Sequence, residues 1–582
     1  MSRFEKTAFL PESLQPGLPY SDELVVFVAR EVVTLDDAIP FANAVAVQNG
    51  RIVAAGEREL IENAFKGKAF TYRVDNSFAD AVIYPGFIEA HMHPQISGAL
   101  HRYEFIGRYD RHRPDGSMIT GIKTRAALAA RLRELVDAHR STCSDGEWFN
   151  AWGLDPLVLD DRSLIARDFL DQIATDIPIA VQHMSAHLIA LNSKAIELCG
   201  IETLDLPGIR RDANGRATGE LAASAGPLND LVVSKGGLCL ARDEADMDKA
   251  SWDIAKIASL NGCTTIAEKG LLIGMIRPGL EAYIRASQSE DYPVRLVLEP
   301  WFAAMIKDGP GTMRASYQAL KQRVHNDRIS IGNLKLLLDG SIQGFSANLL
   351  DNQYYNGNPN GNLQMPDERA LELFGEAHRS GISCSVHTNG NGATEQLLRV
   401  VEALQAEYPR ADVYHSSEHC QLATEEQLWR MKKVGLRPNF FINHIHFWGD
   451  AHAAETVGPH YVKRQNPLRS AMRHGLTFGI HSDDWVTEVN PLLSAWVAVN
   501  RRSASDQVYG EDQCLTVDEA MRAITLGNAA MLGQEHIKGS VTPGKLADFT
   551  VLAEKVSEAN KETFRDIPVL ATVLGGKIFK QR

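Results

Sequence analysis

Nowhere in its 582 residues does this chain hold an uninterrupted apolar run of about 18, the length needed to cross a bilayer as a helix. Nor does the segment Met1 to Tyr20 show a basic stretch followed by an apolar core and a small-residue cleavage site, so a cytoplasmic location is the expectation. Cysteine is sparse. Its seven positions (Cys143, Cys199, Cys239, Cys263, Cys384, Cys420, Cys514) are scattered and contain no Cys-x-x-Cys pair, which speaks against a disulfide framework and against a thiolate zinc site alike. Basic charge is in deficit: 60 Lys and Arg stand against 73 Asp and Glu, for a formal net charge of -13. A nucleic acid or an anionic membrane would attract a basic surface that this composition does not supply, and neither is expected as a partner. No internal repeat or low-complexity tract is visible.

What the chain does have is length and apolar content. With 44% hydrophobic residues it can bury one large core, a second smaller domain and a sizeable insertion. Both ends read as short strands. Leu24 to Ala29, Ala44 to Gln48 and, after the turn Asn49-Gly50, Arg51 to Ala55 carry a hairpin signal; Ala547 to Leu552, Val569 to Leu574 and, after Gly575-Gly576, Lys577 to Lys580 repeat that style. Strand-rich ends around a long middle predict a small β-sandwich domain assembled from residues 1–80 and 535–582, with residues 81–534 as the body between them. In that body, apolar strand-like runs alternate with helical patterns. Ala81 to His91, Cys263 to Glu268, Val294 to Glu299, Leu334 to Leu338, Ser383 to His387, Val413 to His419, Leu436 to Phe441 and Thr477 to Asp483 predict an α/β fold, a TIM-like (β/α)8 barrel. The interval from about 94 to 250 is too long for one helix, and is expected to be an inserted lid region of several helices and some strands.

The strongest local signal is Tyr84-Pro-Gly-Phe-Ile-Glu-Ala-His91-Met92-His93-Pro94. In an extended strand His91 and His93 project to one face and can converge on one ion. Among 19 histidines such a pair also arises by accident, as a surface or core feature. Later strand-like runs add to it: His387 closes Ser-Cys-Ser-Val-His, His419 closes Ser-Ser-Glu-His, and Asp483 follows Phe-Gly-Ile-His-Ser. Catalytic groups of a barrel come from the C-terminal ends of several strands, so these segments would deliver imidazoles and a carboxylate to one mouth. Both are ligands for zinc, manganese, nickel or iron.

Together with Gly215-Arg-Ala-Thr-Gly-Glu220, Gly262-Cys-Thr-Thr265, Leu334-Lys335-Leu-Leu-Leu-Asp339-Gly340-Ser341, Ser482-Asp483 and the closing Gly539-Ser-Val-Thr-Pro-Gly-Lys-Leu-Ala-Asp-Phe549, these residues are similar to those of the amidohydrolase superfamily. Within it, nearly the whole chain resembles the amidohydrolase-3 group of YtcJ-like and N-substituted formamide deformylase-like proteins. The resemblance implies a divalent metal, zinc first among candidates, with His91, His93 and Asp483 holding one ion and His387 and His419 a second. Lys335 would bridge them as a carbamate formed with carbon dioxide, because an ammonium cannot ligate a cation. Without the carbamate, a single-metal site is the alternative, as is Lys335 simply pairing with Asp339. Metal-held water, its pKa lowered from about 15.7 toward about 7, would supply hydroxide, with Asp483 as catalytic proton shuttle to the leaving amine.

The implied reaction is hydrolysis of a carbon-nitrogen bond in an amide, formamide, carbamate or related small molecule. Ester or lactone hydrolysis at the same site and a non-catalytic binding or regulatory protein are the competing readings. His187, Trp152, His444, His446 and Trp448 are candidates for substrate contact. Asn391 stands where many relatives carry aspartate. Glu268 is either a ligand or, the preferred reading, a buried acid paired with Lys269 or Lys335, and His481 and Asp484 are expected to take ordinary supporting or solvent-facing roles. A homodimer is expected only from the superfamily's habits.

Overall fold

A computed structural model describes residues 8–9, 24–66, 72–144, 146–185, 188–222, 227–241, 243–271, 279–324 and 326–581. Nine parallel strand segments form its centre, in a four-stranded and a five-stranded sheet within a mixed α/β body. The first sheet contains Phe87–Met92, Cys263–Leu271, Arg295–Pro300 and Ile329–Ile331; the second runs Leu334–Leu337, Cys384–Thr388, Ser416–His419, Arg437–Phe440 and Gly479–Ile480. All nine residues of Cys263–Leu271 are buried, as in a parallel strand covered on both faces. Helices such as Glu244–Leu260 and Asn391–Glu407 supply the covering layer.

Three details differ from the sequence expectation. The run Ala81 to His91 is not one strand: Tyr72–Pro85 belongs to the terminal sheet and Phe87–Met92 to the parallel one. The break falls at Gly86, whose N–H donates to Asp548 O at 2.9 Å and where a Cβ would meet the Thr264 side chain at 2.0 Å. A further segment, Ile329–Ile331, is separated from Leu334–Leu337 by Gly332-Asn333. Finally, no ladder joins Gly479–Ile480 to Phe87–Met92 among the described residues. Individual bonds cross that seam instead: Asp483 N–H to His91 O at 3.1 Å, His93 N–H to Asp484 O at 2.6 Å, and the Asn528 amide to Ile88 O and Ile480 O at 2.6 and 2.8 Å.

Strands from both chain ends share one eight-stranded sheet, in which Tyr72–Pro85 lies between Leu24–Val32 and Phe549–Leu552. Between the first two parallel strands in sequence, a separate six-stranded sheet containing Phe149–Leu154 and Ile179–His183 packs with helix Arg125–Arg140 around its own apolar cluster. No described helix is long and apolar enough to cross a membrane, and all seven cysteines are free.

Candidate metal centre

His91 lies near the C-terminal end of its strand, and Pro94, pre-set for the first turn of helix Pro94–Leu100, ends the extended run just after His93. In the second sheet, register sets Lys335 beside Ser385, His387 beside Glu418, and Thr388 beside His419. His419 and Asp483 have left-handed backbones, φ 68° and 54°. Such non-glycine conformations cost on the order of 1–3 kcal/mol each. At His419 the turn breaks the pleat alternation, so that Glu418 and His419, neighbours in sequence, both reach the same centre.

The expected ligands come together. His91 Nε2 and His93 Nε2 lie 3.4 and 3.5 Å from one oxygen of Asp483, and Lys335 Nζ lies 3.3 Å from His91 Nε2. Asp483's other oxygen is 3.8 Å from His419 Nδ1, and His419 Nε2 is 2.9 Å from His387 Nδ1. All six side chains are thus linked by contacts of 3.8 Å or less. Their tautomers follow from their other partners. The Glu418 carboxylate, 2.5 Å from His91 Nδ1, can only accept, so Nδ1 carries the proton and Nε2 presents its lone pair. His387 Nε2 is held by Gly340 O and Asn389 Nδ2, each at 3.0 Å, which leaves Nδ1 facing inward.

Burial and neighbouring charge set the protonation states. Burial brings the Lys335 ammonium down to about 8, against the pull of Glu418. Burial, with Lys335 next, holds His91 well below the ordinary imidazole range; burial and His387 do so for His419. Burial opposes charge on Asp483 and Glu418, but their partners prevail and both stay below the usual carboxylate range: the side-chain contact with His93 foremost for Asp483, Lys269 and Lys335 for Glu418. Burial thus favours the neutral ring at His91 and His419, while the carboxylates of Asp483 and Glu418 are held ionised.

That donor set fits a divalent cation. Asp483 Oδ1, His419 Nδ1 and both ring nitrogens of His481 are buried without a hydrogen-bond partner among the described residues. An orphaned buried polar atom costs about 1–3 kcal/mol, so four in one cluster need a common partner. Ligand atoms of His91, His93 and Asp483, and separately of His91, His419 and His481, lie within 4.8 Å of one another.

The family model for the amidohydrolase family matches residues 79–579. This chain belongs to the amidohydrolase family. It is 25% identical to the putative amidohydrolase YtcJ of Bacillus subtilis (strain 168) over 93% of this chain and 96% of that protein. It is also 25% identical to N-substituted formamide deformylase of Arthrobacter pascens, over 96% of this chain and 98% of the relative. An uncharacterized metal-dependent hydrolase from Pyrococcus horikoshii OT3 shares the fold at TM-score 0.69 and 18% identity, covering 93% of this chain and 100% of that one.

Around the centre, this amidohydrolase departs from several sequence expectations. Lys335 does not pair with Asp339: that carboxyl accepts N–H bonds from Asn348, Asn389 and Gly390, and burial raises it to about 7 nonetheless. Gly390 permits this loop, since a Cβ there would stand 1.9 Å from Asn348 O. Glu268 pairs with neither lysine; it accepts from Tyr283 Oη at 2.7 Å and Gln95 N at 3.1 Å, and lies 3.8 Å from His93 Nδ1. Lys269 instead bonds Glu299 at 2.7 Å. Neither His481 nor Asp484 faces solvent: both are fully buried, and Asp484 is paired with Arg111 at 2.7 Å. Asn391 Oδ1 accepts the Leu350 N–H at 2.9 Å, a task that needs only an acceptor.

A cavity of about 560 Å³ lies beside Val486–Glu488, just beyond Asp483, and is lined by His446 and Trp448 along with Tyr109 and Phe447. Trp448 is anchored by its Nε1–H to Asp155 at 2.7 Å, and His446 Nδ1 is 3.0 Å from Arg502 O. Trp152 is not among that cavity's lining residues; it is buried against Phe105, with the Arg111 guanidinium 4.8 Å over its ring. His444 lies tilted against Trp448 with ring centroids 4.6 Å apart and bonds His452 at 2.9 Å, which bonds Thr456 at 2.7 Å. His187 falls outside the described residues. Glu418 was given no role from sequence, and His481 only a supporting or solvent-facing one, yet both lie against the centre. Glu418's one signal was its place next to His419, and His481's was its two-residue spacing from Asp483.

Proposed function

We propose that this chain is a metal-dependent hydrolase that cleaves a carbon-nitrogen bond of a small molecule, with an N-substituted formamide or amide as the substrate class. The supporting observation is the gathering of His91, His93, Lys335, His387, His419 and Asp483 by contacts of 3.8 Å or less around orphaned buried ligand atoms. A bound divalent cation, zinc in this reading, supplies Lewis acidity that brings water's pKa toward about 7 and polarises a carbonyl. The protein's own groups do the rest. Glu418 fixes the His91 tautomer, Gly340 and Asn389 orient the His387 ring, Asp483 takes a proton from water and hands it to the departing amine, and buried Lys335, poised to lose its proton, is available to form a carbamate. The parallel strands are read as a barrel closed across the Asp483–His91 seam, and the cavity beside Trp448 and His446 as the seat of an apolar or aromatic substituent. The formamide class is favoured by the deformylase relative.

The test is a screen of N-formyl, N-acyl and carbamate compounds against zinc-loaded wild type, His387→Ala and Asp483→Asn proteins. Wild type should hold about one to two metal equivalents, His387→Ala fewer, and Asp483→Asn should lose about 100- to 10,000-fold in kcat/KM. Equal turnover by wild type and His387→Ala, or a wild type without metal, would overturn the reading.

A further inference from the structure

We propose that His481 is an additional metal ligand, so that one strand end contributes His481-x-Asp483 as its neighbour across the seam contributes His91-x-His93. This rests on the metal-centre reading above. The first support is placement. His481 is fully buried directly after strand Gly479–Ile480, and its ring lies in the centre beside that of His91. It stacks on His91 with centroids 4.5 Å apart and planes within 16°, and lies 5.1 Å from the His419 ring. Ligand atoms of His91, His419 and His481 all fall within 4.8 Å of one another, a spacing one ion can span once the stacked rings turn toward it.

The second support is what His481 lacks. Among the described residues it is the one buried histidine with both ring nitrogens unpartnered. Its neighbours are each held: His91 by Glu418, His387 by Gly340 O, His444 by His452. A side chain serving only to fill space between His91 and Phe441 would do so better as phenylalanine, without two polar atoms to desolvate. An imidazole kept there at that cost has a use for its lone pair. With His481 the centre becomes richer in imidazole, a donor set that suits zinc, cobalt, nickel or copper better than magnesium or manganese.

Metal-free wild type, His481→Phe and His481→Asn proteins titrated with cobalt(II), against a chromophoric chelator and by visible absorption, would test this. Thermal unfolding of each metal-free protein reports folding separately. If His481 ligates, both variants bind cobalt about tenfold or more weakly with an altered visible spectrum. Metal-free His481→Phe then melts no lower than wild type, because an unsatisfied polar ring has been replaced by an apolar one. Unchanged affinity, stoichiometry and spectrum in both variants would overturn this inference while leaving the hydrolase reading intact; a wild type that binds no cobalt would instead remove that reading.

Discussion

One carboxylate decides how the fully buried His91 presents itself. Glu418 accepts from His91 Nδ1 at 2.5 Å and is itself braced by Asn439 Nδ2 at 2.8 Å, by Ser416 Oγ at 2.5 Å and, at 3.8 Å, by Lys269. A charged acceptor makes the His91 ring both oriented and more basic toward a cation. Glu418→Gln should therefore weaken metal affinity by about 10- to 100-fold while the protein remains folded, as measured by chelator competition and thermal melting. An affinity equal to wild type would show that His91 is oriented by packing alone. Strand-end histidines could be recognised in sequence because imidazoles at the close of apolar runs are unusual. Glu418 could not, because simple alternation assigns it to the face opposite His419, and only the left-handed φ of 68° at His419 brings both inward.

At the level of elements, the weak point is the seam between Phe87–Met92 and Gly479–Ile480. With no ladder there, the Asn528 side chain makes three backbone bonds: to Ile88 O at 2.6 Å, to Ile480 O at 2.8 Å, and from Ile480 N–H at 3.0 Å. Glu89, raised to about 8 by burial despite its bonds to Ser482, ties the same two segments. Asn528→Ala leaves buried backbone groups unpaired and should cost about 1–3 kcal/mol in denaturant unfolding. It should also weaken metal binding, because His91 and Asp483 lie on opposite sides of the seam. A stability change below about 0.5 kcal/mol would show that the remaining backbone bonds suffice. The parallel strands were anticipated from their apolar runs, while the interruption at Gly86 was hidden, since it arises from Thr264, remote in sequence.

Across the whole molecule, the terminal sheet and the parallel body are joined by a buried two-pronged ion pair. Arg295 Nε and Nη2 donate to the two oxygens of Asp548 at 2.7 and 2.9 Å, and Gly575 N–H adds a third bond at 2.9 Å. Asp548→Ala would strand the Arg295 charge in the interior, so a loss of about 3–5 kcal/mol is expected in chemical denaturation. Asp548→Asn, which keeps one acceptor, should lose less. If Asp548→Ala unfolds with a wild-type midpoint, the two parts of the chain are not coupled through this pair.

Residue types and their periodicity, which report on local backbone and burial, were enough to anticipate both strand-rich ends, the run of parallel strands and the strand-end His91, His93, His387, His419 and Asp483, whereas Lys335 and the ligand assignment were implied by the family resemblance alone. Type and periodicity could not disclose contacts made between distant segments, because pairing energy depends on who faces whom after folding. Lys269 pairing with Glu299 rather than Glu268, Asp339 held by backbone N–H groups rather than by Lys335, and His481 stacked unpartnered on His91 are all of that kind. Each depends on the turn and register of strands that lie far apart in the chain, and those become definite only when the core has packed.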